Sequence, residues 1–209
     1  MLTPAQLLKG YAQGVFPMAE SAYDTRLHWF DPPLRGILPV GGVHASRSLL
    51  RDLRRGGWTA HLDGDFEAVV AACADRDTTW INEPLARLYS QLHRAGRAHA
   101  LEIRHDGRFA GGIFGVTIGA AFFGESMASA RTNGSKMALL WMSSQIARCG
   151  FTLFDTQFLT PHLERMGGRE IPRAQYRALL AEALPRQADL LSAPLPDADQ
   201  LWQEITQTS

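Results

Sequence analysis

The run Phe151-Thr152-Leu153-Phe154-Asp155-Thr156-Gln157-Phe158-Leu159 sets a carboxylate and a carboxamide two residues apart in an otherwise apolar stretch. Side chains of an extended strand alternate, so Asp155 and Gln157 are expected on one face, with Phe154 and Phe158 on the other. Polar groups in such surroundings are costly unless they are hydrogen-bonded or used. The pair is either a structural couple or a device that orients a reacting group. A second acid has similar neighbours, in Phe122-Phe123-Gly124-Glu125-Ser126-Met127. Strict alternation puts Phe123, Glu125 and Met127 on one face and Phe122 on the other, and a bulge near Gly124 would alter that order. Glu125 reads as a sheet-edge carboxylate or as a site acid.

Other residues suit a nucleic-acid ligand. Trp80 stands just before Asn82, a natural helix cap, where an indole can stack on a base or fill the core. Arg47, Arg51 and Arg54 recur at i, i+4 and i+7 with Arg55 beside them, which makes either a phosphate-binding face or a solvated one. Several mechanisms lack their residues. There is no G-x-S-x-G elbow, P-loop or G-x-G-x-x-G cradle, and the histidines show no nucleophile partner. Cys73 and Cys149 are far apart and read as reduced core thiols, and no Cys/His cluster has zinc spacing, so no metal site is expected. Gly111-Gly112-x-x-Gly115 reads as a close backbone approach within a sheet.

The elements that must position these residues follow from periodicity. Thr3-Pro4 opens a short helix that stops near Gly14. Phe16-Pro17-Met18 turns the chain, and the proline-rich residues 29–39 form an extended connector. Helices begin at Ser46, about Asp65 and Asn82. Strands follow over 100–105, 108–118 and 120–128, with Asp106-Gly107 as a hairpin turn. Asn133 caps a long helix closed by Gly150, and the 151–159 strand comes next. Short helices start at Thr160-Pro161 and at Pro172, and the tail after Pro185 is expected to be irregular. Helices, a β-meander and then strand–helix–strand predict an α+β fold with a mixed sheet.

The 209 residues include 21 Lys/Arg and 21 Asp/Glu, so any contact with nucleic acid must be local rather than a general basic coat. Residues 1–60 hold seven Lys/Arg against four Asp/Glu, and the remainder 14 against 17. No apolar run approaches the ~20 residues needed to span a bilayer, and no signal peptide is visible, so a cytoplasmic protein without a membrane partner is expected.

Taken together, these stretches resemble the leucyl/phenylalanyl-tRNA–protein transferase family. The resemblance is carried by Gly10-Tyr11-x-x-Gly14-x-Phe16-Pro17, Ser46-Arg47-Ser48, Thr79-Trp80-Ile81 and Gly96-x-Ala98-His99. It continues through Gly111-Gly112-x-x-Gly115-Val116, Gly124-Glu125-Ser126-Met127, Ser135-Lys136-x-Ala138-Leu139, Asp155-x-Gln157 and Glu170-Ile171-Pro172-Arg173. Nine short motifs in family order make the match specific. It implies a GNAT-like catalytic domain over 36–209, preceded by a small N-terminal lobe and connector over 1–35. It also implies passage of Leu or Phe, and possibly Met, from aminoacyl-tRNA to a protein beginning with Arg or Lys, which marks that acceptor for N-end-rule degradation. Two departures stand out. The chain begins almost at the Tyr11 helix, where longer members carry an extra segment, and Met18 stands where many members have an aromatic residue.

The resemblance gives the residues their expected roles. Gln157 contacts the attacking amine or the ester, oriented by Asp155, and Asp155 or Glu125 meets the acceptor's cation. Phe122, Met127 and Ile113 line the pocket for the transferred side chain. Trp80 carries the terminal adenine, with Tyr11, Phe16 and Tyr89 completing that wall. Arg47, Arg51, Arg54 and Arg55 meet tRNA phosphates. An already activated ester needs no ATP, cofactor or covalent nucleophile, and a monomer suffices. The rival readings are an acetyl-CoA-dependent N-acetyltransferase and a non-enzymatic tRNA- or degron-binding module.

Overall fold

A computed structural model describes residues 2–24 and 26–207. Its centre is a seven-stranded sheet of order β4-β5-β6-β7-β8-β3-β9. The strands are β3 (Leu34–Leu38), β4 (Trp58–Leu62), β5 (Ala98–His105), β6 (Arg108–Ile118), β7 (Ala121–Ser129), β8 (Leu153–Gln157) and β9 (Arg169–Pro172). All neighbours are antiparallel except β7 and β8. A separate two-stranded sheet joins β1 (Phe16–Met18) to β2 (His28–Phe30). The expected α+β class with a mixed sheet flanked by helices is what forms, in keeping with an acyltransferase-like fold, and the N-terminal part carries the two-stranded sheet.

Helices cover both faces, because the strands are apolar on both sides. Helices α1 (Pro4–Ala12), α3 (Phe66–Ala74), α4 (Glu83–Arg94) and α7 (Arg173–Ala183) bury Tyr11, Val69, Tyr89 and Tyr176 on one face. Helices α2 (Arg47–Arg55), α5 (Gly134–Arg148), α6 (Pro161–Arg165) and α8 (Ala198–Gln207) bury Leu53, Trp141, Leu163 and Leu201 on the other. The start of α5 sits hard against β6: a Cβ on Gly134 would lie 1.9 Å from the Ala110 carbonyl oxygen, and one on Gly111 2.7 Å from the Gly134 backbone. The glycines of the 111–115 stretch therefore do allow close backbone approach. Cys73 and Cys149 are free and buried, as expected of core thiols.

Three features depart from the sequence expectations. The tail after Pro185 is not wholly irregular. Its end forms α8, opened by a reciprocal cap in which the Gln200 N–H donates to Asp197 Oδ1 (2.8 Å) and the Asp197 N–H to Gln200 Oε1 (3.1 Å). The Trp141 indole N–H holds the Pro196 carbonyl, and Gln145 holds those of Leu190 and Ala193. Asn133 lies at the start of α5 in left-handed backbone without a side-chain cap bond: its amide nitrogen donates to Asp52 Oδ2 at 2.8 Å, and its Oδ1, the atom a cap would use, accepts from Lys136 Nζ at 3.2 Å. The connector and the turn, in turn, contribute β2, β3 and β1, whose ladders need partners distant in sequence.

Candidate active site

β7 and β8 pair only from Ala121 to Phe123 against Leu153 to Asp155. Beyond those residues they part, and a cavity of about 190 Å³ opens between them. Two local irregularities turn polar side chains into it. On β7 the register with β6 jumps from Gly115↔Gly124 to Phe114↔Ser126, which leaves Glu125 as the extra residue of a bulge. The bulge separates what strict alternation had grouped: Phe123 packs with Tyr11 on one face of the sheet, and Met127 joins the cluster on the other. On β8 the strand ends at Gln157, whose φ of 64° is left-handed. That conformation costs a non-glycine residue roughly 1–2 kcal/mol, so something must hold it.

Asp155 holds it. The Gln157 backbone N–H donates to Asp155 Oδ1 at 2.8 Å. The same carboxylate takes Arg35 Nε at 2.9 Å, Arg35 Nη2 at 2.6 Å and the Tyr176 hydroxyl at 2.7 Å. Arg35 itself lies between the rings of Phe16 and Tyr176, 4.4 and 4.5 Å from their centroids, and donates to the Gly14 carbonyl. Arg35 and Asp155 are 1% and 0% exposed. Burial with Asp155 pushes the Tyr176 phenol far above its usual range.

Asp155 is thus sealed behind the site. It does not line the cavity, and its charge is already matched by Arg35, which excludes it as the partner of an acceptor's cation. Gln157 does line the cavity. The shared face expected for the two is lost at the turn in backbone after Thr156.

Glu125 is the carboxylate on the cavity wall. Its Oε2 accepts from the Tyr89 hydroxyl at 2.7 Å, and Tyr89 in turn contacts the Tyr11 hydroxyl at 3.2 Å. Burial pushes the Glu125 carboxyl up to about 7, against the pull of hydrogen bonding from Tyr89, Tyr11 and Gln157. Glu125 Oε1 and Gln157 Nε2 are both buried without a hydrogen-bond partner. Gln157 is near enough to bias the carboxylate, yet no bond with proper geometry closes the pair. The two are a buried acceptor and a buried donor in one cavity, a pair that a bound substrate could satisfy.

The other expected residues divide. Trp80, Ile113 and Met127 line the cavity, and Trp80 is half-buried there. Tyr11, Phe16, Tyr89 and Phe122 do not line it; all four are fully buried behind the wall. Tyr89 backs Trp80 edge-on, with centroids 6.4 Å apart. Phe122 packs edge-on against Phe154, and Phe154 lines the cavity in its place. Phe16 meets Phe158 edge-on, and Phe158 reaches the wall although alternation had pointed it away. Sequence reasoning also missed Arg35, whose signal was a lone charge in the apolar Leu34–Leu38 segment, and it missed Arg76. Met18, the residue that departs from the family pattern, is on the wall.

On α2, Arg47, Arg51, Arg54 and Arg55 are exposed while Leu49 and Leu53 are buried. Arg54 lies over the Trp202 ring at 5.1 Å. Arg51 and Arg55 border a hollow of about 510 Å³ with Arg131, a further cation that spacing alone had not joined to them. Among the described residues no group of three His, Cys, Asp or Glu side chains could hold a metal ion, and no helix is long and apolar enough to cross a membrane.

A family model described as leucyl/phenylalanyl-tRNA protein transferase matches residues 37–181, and one for that family's N-terminal domain matches residues 1–33. A leucyl/phenylalanyl-tRNA–protein transferase of Paracoccus denitrificans is 61% identical over 208 residues, 100% of this chain and 98% of the relative. Similarly named proteins of Dinoroseobacter shibae and Cereibacter sphaeroides are 57% and 53% identical, covering 93% and 100% of this chain and 87% and 98% of the relatives.

Proposed function

The chain belongs to the leucyl/phenylalanyl-tRNA–protein transferase family, and on that premise we propose how its cavity passes Leu or Phe from aminoacyl-tRNA to an acceptor protein beginning with Arg or Lys. The observation that carries the reading is the neighbouring pair of unsatisfied groups, Glu125 Oε1 and Gln157 Nε2, in a cavity walled by Ile113, Met127, Leu139 and Phe154. Ile113, Met127 and Phe154 supply the apolar wall for the Leu or Phe side chain. Such a wall selects by size, with ~1–3 kcal/mol per methylene between similar residues. Trp80 offers the stacking surface for the terminal adenine.

The reaction needs an amine, an ester and one proton transfer. The neutral α-amine attacks the ester carbonyl carbon, a C–N bond forms and the bond to the ribose oxygen breaks. The proton released by the nitrogen ends on that oxygen. Glu125, poised about neutral pH, is suited to take the proton that the nitrogen sheds as the C–N bond forms and to hand it to the departing ribose oxygen. The Gln157 amide N–H is suited to hold the ester carbonyl oxygen as it gains charge. Asp155 and Arg35 act as positioning residues that fix the Gln157 backbone. Holding the reactants in line can itself supply up to ~7–11 kcal/mol. The exposed arginines of α2, joined by Arg131, are placed here as contacts to tRNA phosphates without base reading. Residues 1–35 act in this reading as a lobe that props the aromatic side of the site, and a monomer is sufficient.

Labelled leucyl-tRNA incubated with a peptide beginning with Arg tests the reading. Label should move to the peptide N-terminus, and a peptide beginning with Asp should receive far less. Label that stays on tRNA with both peptides contradicts it.

A further inference from the structure

The cavity at the β7–β8 split, about 190 Å³, is smaller than the ~300–1,000 Å³ of sites that enclose a whole small ligand. It can take an amino-acid side chain and its ester, and leaves the nucleotide end of the donor outside. A second hollow of about 670 Å³ adjoins it and shares Arg76, Met127 and Thr160 as walls. Arg76 therefore stands on the boundary. It donates to Ser126 Oγ at 3.2 Å and to the Met127 carbonyl, both through Nη2, so Nε and Nη1 keep their donors among the described residues.

The far wall of this hollow is also rich in donors. His162 lines it, and its Nε2 is buried with no hydrogen-bond partner. Ser135 lines it at the start of α5, where Asn133 supplies no side-chain cap. Burial chiefly, with Lys136 and Arg165 nearby, holds the His162 imidazole below its usual range, and those two cations bring positive charge close to the hollow. The hollow's one acid, Asp75, is exposed at the rim.

We propose that this second hollow is a phosphate subsite, in which Arg76, Ser135 and His162 receive the phosphodiester joining the donor's terminal adenosine to the nucleotide before it. The subsite rests on the reading of the first cavity as the aminoacyl-ester site, because a ribose spans the short distance from ester to 5′-phosphate. The planar guanidinium suits two phosphate oxygens at once. The start of α5 adds favourable potential at the same place through its dipole, its Gly134 and Ser135 N–H groups being held by the Arg131 carbonyl and Ser129 Oγ.

The test uses two non-reactive donor mimics, leucyl-adenosine amide with and without a 5′-phosphate, titrated into the full-length protein. Wild type should bind the phosphorylated mimic about tenfold tighter or more, with the gain shrinking as salt rises. Arg76→Ala should reduce that phosphate gain towards onefold, Ser135→Ala should lower it in part, and Arg76→Lys should retain some of it. A gain that survives Arg76→Ala overturns the subsite. So does wild type binding the two mimics equally, an outcome that leaves the ester-site reading standing. If wild type binds neither mimic, the ester-site reading fails and the subsite with it.

Discussion

The Asp155 carboxylate reaches two residues along its own strand to hold the Gln157 backbone N–H at 2.8 Å, which keeps Gln157 in a left-handed conformation that points its amide into the cavity. The same carboxylate is anchored by Arg35, 120 residues away in sequence. Site geometry is thus tied to an ion pair buried in the sheet, and two properties that look separate, stability and turnover, share one residue.

The first prediction concerns that ion pair. Arg35→Met leaves the Asp155 charge buried and unpaired, so urea unfolding should show a loss of about 3–5 kcal/mol. Replacing both partners, as Arg35→Met with Asp155→Leu, should recover much of the stability, since an apolar pair needs no desolvated charge. The double variant should still transfer poorly, because nothing then fixes the Gln157 backbone. Recovery of stability and turnover together would remove Asp155 from any positioning role.

Glu125 gives stability a pH dependence. Its folded value of about 7 exceeds the ordinary 4.5, so the folded protein binds more protons than the unfolded chain between those limits. Stability from this residue is complete below about pH 4.5 and is lost as pH rises through 7. The loss is about 3 kcal/mol at most. Glu125→Gln should abolish this component, so the variant should gain stability relative to wild type between pH 5 and pH 8 in paired urea titrations. Parallel curves would mean that the carboxyl titrates near its ordinary value.

Trp80 should be a binding residue rather than a core residue. Trp80→Ala should weaken an aminoacyl-adenosine mimic by ~1–3 kcal/mol, roughly 5- to 150-fold. Thermal unfolding should change little, because the indole is half-buried on a cavity wall rather than enclosed. Unchanged affinity would show that the adenine lies elsewhere.

Much of this arrangement was legible in the sequence. Asp155, Gln157 and Glu125 stood out because polar groups in apolar strands require a reason, and the bulge at Glu125 was signalled by Gly124. The helix caps at Thr3, Ser46, Asp65, Asn82 and Thr160 all form as the residue types suggest. What was not legible depended on long-range contact. Asp155 looked available because its partner Arg35 sits in a segment that read as a loose connector. Phe122, Tyr11, Phe16 and Tyr89 were given to the wall by the resemblance, and long-range packing instead buries all four behind it. β4 and β9 were missed because short edge strands carry little periodicity of their own. α8 was missed because its prolines at 194 and 196 masked the Asp197–Gln200 capping pair that opens it.

The most direct test is single-turnover transfer of leucine from leucyl-tRNA to an Arg-starting peptide by Gln157→Asn. Asparagine tolerates the left-handed backbone but falls one carbon short of the ester. The account predicts a rate about 100-fold below wild type, as when one donor to a developing oxyanion is removed, with affinity for a non-reactive donor mimic nearly unchanged. A variant that transfers leucine at the wild-type rate would contradict it, because the chemistry would then proceed without the amide at position 157.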